Sequence, residues 1–154
     1  MNSRSHRGRS AVPTEIIQCA VDALINIDVP NLEQAVRFYQ EAVGLRLGRR
    51  LFGDTVAEMV GASSPIYLIT KTEGSSPITG TGHSRTYQRH WTPVHLDFVV
   101  DNLQEAIEKA KKAGAKLETA PRSFAWGRLA TLSDPFGHGL CLLQWSGRGY
   151  DEVG

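Results

Sequence analysis

Val29-Pro30-Asn31-Leu32-Glu33-Gln34-Ala35-Val36 and Val100-Asp101-Asn102-Leu103-Gln104-Glu105-Ala106-Ile107 are two versions of one passage. They lie 71 residues apart, Val29 against Val100, and four of the eight positions are identical. Self-similarity at a fixed offset means that one supersecondary unit is used twice. Before each copy the residues alternate: Ile25, Ile27 and Val29 in the first, Leu96, Phe98 and Val100 in the second. Period two predicts a strand with one apolar face. Asn31 and Asn102 then offer N-caps, with Gln34 and Glu105 three residues on, a capping-box arrangement. Leu32, Ala35, Val36, Tyr39 and Ala42 follow helical spacing, as do Leu103, Ala106, Ile107, Ala110 and Ala113. Gly44 and Gly114 are placed to stop these helices.

After each helix come shorter β-like pieces: residues 45–51, 55–60 and 66–71, then 116–119, 127–133 and 139–145. Asp134-Pro135-Phe136-Gly137 reads as a turn joining the last two as a hairpin. The pattern predicts an α+β fold of two tandem βαβββ modules. Their helices cover the convex side of a curved mixed sheet, and the concave side forms a ligand cup. Module one spans about 18–71, a linker or lid 72–93, and module two 94–146. Residues 1–17 read as a disordered polar, basic tail, and 147–154 as a loose tail.

The chain has 154 residues, 41% hydrophobic and 21% charged, in the range of one globular domain that buries a real core. A net charge of +1 gives no reason to expect nucleic acid. No apolar run is long enough to suggest a membrane segment, and no apolar stretch follows the basic start to suggest a secretory signal. Cys19 and Cys141 form neither a CxxC motif nor a disulfide framework, so a cytoplasmic location is expected.

Alternation turns Leu24, Asn26 and Asp28 toward the cup in module one, and His95, Asp97 and Val99 in module two. Cys141 shares a face with Leu143 and Trp145. A mixture of polar and apolar groups is what small-molecule sites present. His95 reads as a base or binding donor, or as a satisfied histidine. Asp97 lies roughly 7 Å along the same strand face, where two titratable groups can do acid–base work or hydrogen-bond a polar ligand. The run His83-Ser84-Arg85-Thr86-Tyr87-Gln88-Arg89-His90-Trp91 interleaves cations with aromatics. Arg85, Arg89 and Trp91 would clamp an anionic or aromatic ligand there, unless the run is a solvated connection. Trp126 lines the mouth of the cup or packs at an edge. His138 reads as part of the turn, and Cys19 and Cys141 as small core residues.

The stretch from Ile27 to Tyr39, Val43-Gly44-Leu45, residues 94–100 and residues 134–140 resemble the vicinal oxygen chelate superfamily of glyoxalases, extradiol dioxygenases, fosfomycin-resistance enzymes and bleomycin-binding proteins. The resemblance covers about residues 22–146. It implies lyase, isomerase or dioxygenase activity on a small, polar or anionic organic molecule, or non-catalytic sequestration of an antibiotic or metabolite. It also implies a homodimer. The family's four metal positions fall on Leu24, Tyr67, His95 and Cys141. Only His95 is a usual ligand there, so no cofactor is expected and a divalent metal on His95 is the weaker alternative. Tyr67 is then a candidate proton donor beside His95 and Asp97.

Overall fold

The computed structural model describes residues 21–154. Residues 1–17 and Cys19 therefore lie outside the described residues. The first module runs β1 (Ile25–Val29), α1 (Leu32–Val43), β2 (Arg46–Leu51), β3 (Val56–Val60) and β4 (Ile66–Thr70). The second runs β5 (Leu96–Val99), α2 (Leu103–Lys112), β6 (Lys116–Phe124), β7 (Gly127–Ser133) and β8 (Gly139–Trp145). Each module makes its own four-stranded mixed sheet, ordered β1-β4-β3-β2 and β5-β8-β7-β6. In each, the first strand is an edge and runs parallel to the last, while the remaining pairs are antiparallel.

The repeat has a shared local cause. Asn31 Oδ1 accepts the Gln34 N–H at 2.9 Å, and Asn102 Oδ1 accepts the Glu105 N–H at 3.2 Å. Each bond satisfies one orphan donor of the helix start. Gly44 closes α1 in the left-handed region at φ +77°, which costs an L side chain energy. Leu32, Ala35, Val36, Tyr39 and Ala42 are buried, and so is Phe38. Phe38 widens the buried face because it meets module two, edge-on to Phe136 at 6.3 Å between ring centres. The two helices also pack on each other, so the modules share one core.

Two stretches depart from the reading of the sequence. β6 continues past residue 119 to Phe124, with register shifts at Leu117/Thr119 and Thr119/Arg122. Pro121 sits inside the second shift on an edge strand, where a missing N–H leaves no ladder bond unmade. Residues 147–154 are not a loose tail throughout. Gly149–Glu152 forms a 3-10 helix that sets Tyr150 4.6 Å from the Trp145 ring and 5.3 Å from Trp126. Among the described residues no helix is long and apolar enough to cross a membrane.

Candidate functional site

Because β1 and β5 are both sheet edges, side chains from either face of these strands can reach a space beside them. A cavity of about 440 Å³ lies there. Its apolar wall comes from Ile25, Ile27, Leu96, Phe98 and Leu140. Asn26, Asp28, Tyr39, His90, Thr92, His95 and His138 supply the polar groups. Among the described residues, no arginine or lysine lines it.

The linker that closes one side is tied down. Arg85 Nε donates to Asp28 Oδ2 at 2.6 Å, and Tyr87 Oη donates to the Lys71 carbonyl at 2.7 Å. Arg89 is ion-paired with Glu118, with Nη2 at 2.7 Å from Oε2, and lies 4.3 Å over the Trp91 ring. That pairing lowers the Glu118 carboxyl and raises Arg89. Both linker arginines are thus ion-paired within the protein, Arg85 to Asp28 and Arg89 to Glu118. Trp91 lies over Gly139, whose Cβ would meet the indole at 2.6 Å, and stands edge-on to His95 at 5.8 Å. Gly137, at φ +90°, is held under the Gln88 carbonyl, which a Cβ would meet at 2.5 Å.

The two sheets present different polar rows. In module one, register places Asn26, Tyr67, Glu58 and Arg49 side by side. Tyr67 Oη donates to Glu58 at 2.7 Å, and Arg49 donates to both carboxylate oxygens at 2.8 and 3.2 Å. The hydrogen bond from Tyr67, then that from Arg49, hold the Glu58 carboxyl below its ordinary value. The bond to Glu58 raises Tyr67, so its proton is committed rather than available. In module two, Asp97, Cys141 and Thr131 are in register. His95 Nε2 lies 3.3 Å from Asp97 Oδ1. Burial, then the charge of Asp97, pushes the Cys141 thiol up to about 11.

Of the residues singled out in the sequence, the cavity brings together Asn26, Asp28 and His95. Asp97 and Cys141 sit next to His95, with donor atoms of all three within 4.8 Å of one another. Arg85 reaches the cavity only through Asp28. Tyr67 faces Glu58, while Arg89 and Trp91 brace the linker. Trp126 stacks on Phe124 at 4.7 Å, within an aromatic cluster outside the cavity lining.

The alternation of residues could not reveal His138. Its Nδ1 lies 2.8 Å from Asp134 Oδ2, which also accepts Tyr39 Oη at 3.0 Å. Asp134 Oδ1 accepts the Phe136 and His138 N–H groups, both at 2.9 Å. The signal present in the sequence was the Asp-x-x-x-His spacing across the turn, which presents as a turn motif alone.

A family model described as glyoxalase-like domain matches residues 24–143. The chain belongs to that family. Solved structures agree with this glyoxalase-like protein in fold. A hypothetical protein SA1046 from S. aureus is 21% identical, covering 80% of this chain and 92% of that one at a TM-score of 0.63. The genomically encoded fosfomycin resistance protein FosX from Listeria monocytogenes is 17% identical, with 84% and 94% covered and a TM-score of 0.63. A glyoxalase/bleomycin resistance protein/dioxygenase family enzyme from Burkholderia phytofirmans PsJN is 18% identical, with 82% and 100% covered and a TM-score of 0.62. No curated protein matches the chain.

The metal that this fold suggests, held by two positions per module, meets the wrong donors here. The module-one positions are Leu24, an exposed hydrocarbon, and Tyr67, whose O–H serves Glu58. His95, Asp97 and Cys141 supply a one-sided group, all three from module two. These residues do not fit a shell shared between modules, and no chemical step is derived through one.

Proposed function

We propose that this glyoxalase-like protein binds a small, neutral, oxygen-bearing organic molecule in the cavity between β1 and β5. The observation that carries this reading is the lining itself. An apolar wall faces Asn26, Asp28 and the three histidines His90, His95 and His138, with no lysine or arginine among the described residues that line it. Small-molecule sites commonly combine an apolar wall with a few polar groups in this way. The Asp28 carboxylate in that lining favours a neutral ligand over an anionic one. The reading is compatible with turnover or with simple sequestration.

Fragment screening by ¹H–¹⁵N correlation spectra tests it. Bound fragments should shift the amides of Asn26, His95 and Leu140, and Ile27→Trp, which fills the space, should abolish those shifts. Shifts that cluster instead around Trp126 and Tyr150, or that survive Ile27→Trp, would remove the cavity from consideration.

The same reading includes a homodimer in the cytoplasm. Support comes from the family resemblance and from the exposed aromatic cluster of Phe124, Trp145 and Tyr150, since contiguous exposed apolar patches mark interaction sites. Light scattering at micromolar concentration should return twice the chain mass. A single-chain mass would discard the dimer and leave the cavity assignment standing.

A further inference from the structure

We propose that His138 is the proton-transfer group of the cavity, making it a metal-independent acid–base site for a small neutral carbonyl compound. This rests on the cavity being the ligand site. Four hydrogen bonds converge on the Asp134 carboxylate, from Tyr39 Oη, the Phe136 and His138 backbone N–H groups, and His138 Nδ1. The Asp134 side chain is 0% exposed. A carboxylate in that setting accepts, so Nδ1 carries the hydrogen and Nε2 carries the lone pair. Nε2 has no hydrogen-bond partner among the described residues, and the ring lines the cavity.

The ring has little freedom to turn away. Tyr87 and His90 stand edge-on to it at 6.3 and 6.1 Å, and the His90 N–H donates to the Gly137 carbonyl at 3.2 Å. His90 commits its own Nδ1 to the Gln88 carbonyl at 2.8 Å. The linker, the turn and α1 therefore all position one imidazole. Bases held this way by a second group contribute through orientation as well as basicity.

The chemistry balances without a further reactant. Nε2 takes a proton from the carbon next to a carbonyl. The C–H electron pair becomes the carbon–carbon double bond, and the carbonyl π pair moves to oxygen. Asn26, which also lines the cavity, offers an amide N–H to that oxygen. The imidazolium then returns the proton to carbon, and nothing is oxidised or reduced. Asp134 and Tyr39 are positioning residues, since they act through His138.

The test uses acetophenone with the full chain in deuterium oxide. Saturation-transfer NMR reads its binding, and loss of the methyl signal reads exchange at the α-carbon. Wild-type protein should exchange it at least tenfold faster than His138→Gln. Asp134→Asn should slow exchange similarly and convert the ¹⁵N signature of His138 from the Nδ1–H form to a mixture of tautomers. Should that variant fail to fold, the His138→Gln comparison and the wild-type tautomer decide alone. Binding with equal exchange in wild type and His138→Gln overturns the role of His138 and leaves the cavity. A wild-type His138 protonated on Nε2 overturns it as well. No binding and no exchange overturn both.

Discussion

Asp28 in module one lines the cavity and Asp134 in module two lies behind the lining residue His138, and they live under different physics. Asp28 is 35% exposed and pairs with one arginine. Asp134 is fully enclosed and accepts four hydrogen bonds. The same contrast holds for the polar rows. Module one closes Glu58, Tyr67 and Arg49 into a satisfied set, while module two leaves the Nε2 of His138 open at the cavity. Two copies of one βαβββ unit have divided the labour. One copy settles a polar row within its sheet, and the other anchors an imidazole that lines the cavity.

The largest effect should separate the two aspartates. Asp134→Ala strands a buried tyrosine hydroxyl, two backbone N–H groups and an imidazole, and should cost about 3–5 kcal/mol. Asp28→Ala breaks a half-exposed ion pair and should cost under about 1 kcal/mol. Urea titration followed by circular dichroism measures both. Equal losses would mean that the network around Asp134 is not the anchor of module two.

A second pair sharpens the comparison at the backbone. Gly44 and Gly137 both occupy positive φ, but only Gly137 lies against another segment. Gly44→Ala has open space and pays only for conformation, about 1 kcal/mol. Gly137→Ala adds a collision with the Gln88 carbonyl and should cost about 2–3 kcal/mol, with the linker displaced from His138. Thermal melts of the two variants decide it, and a milder effect at Gly137 would show that the linker is not seated on the turn.

Much of this was legible in the sequence, for reasons that can be named. The repeat, the N-cap asparagines and the helical spacing from Leu32 to Ala42 are local properties, and local properties set α1, α2 and the strand edges that precede them. Period two likewise put Asn26 and Asp28 on the face away from the core. The partners of Arg85 and Arg89 were not legible, because Asp28 and Glu118 lie 57 and 29 residues away. Nor was the use of both faces of β1, since Ile25 and Ile27 look like core residues until β1 is known to be an edge. His138 hid for a related reason. Its spacing to Asp134 is local, but its value depends on Tyr39, 95 residues from Asp134.

Cys141 offers a comparison of native and unfolded states within module two. With its thiol pushed up to about 11 from 9.0, the folded protein should hold about 100-fold less thiolate at neutral pH than the unfolded chain. Alkylation by iodoacetamide at pH 8, mapped by peptide mass spectrometry, should be slower at Cys141 by about that factor without denaturant. The thiol favours its neutral form in the fold, so its contribution to stability is present below the unfolded value and fades as pH rises toward 11. Fast native labelling would place Cys141 in a thiolate-stabilising site and reopen the metal question.

The smallest effect belongs to module one and runs in the opposite pH direction. Glu58 is held low by the hydrogen bonds from Tyr67 and Arg49. Its contribution is therefore present above the unfolded carboxylate value and lost as pH falls through the native one. Glu58→Gln keeps an acceptor for Tyr67 but lacks that titration. The gap in melting temperature between wild type and Glu58→Gln should be largest near pH 7 and shrink toward about pH 3. A gap that stayed constant across that range would mean that packing, rather than charge, holds the row together, and that module one is satisfied for a different reason than its hydrogen bonds suggest.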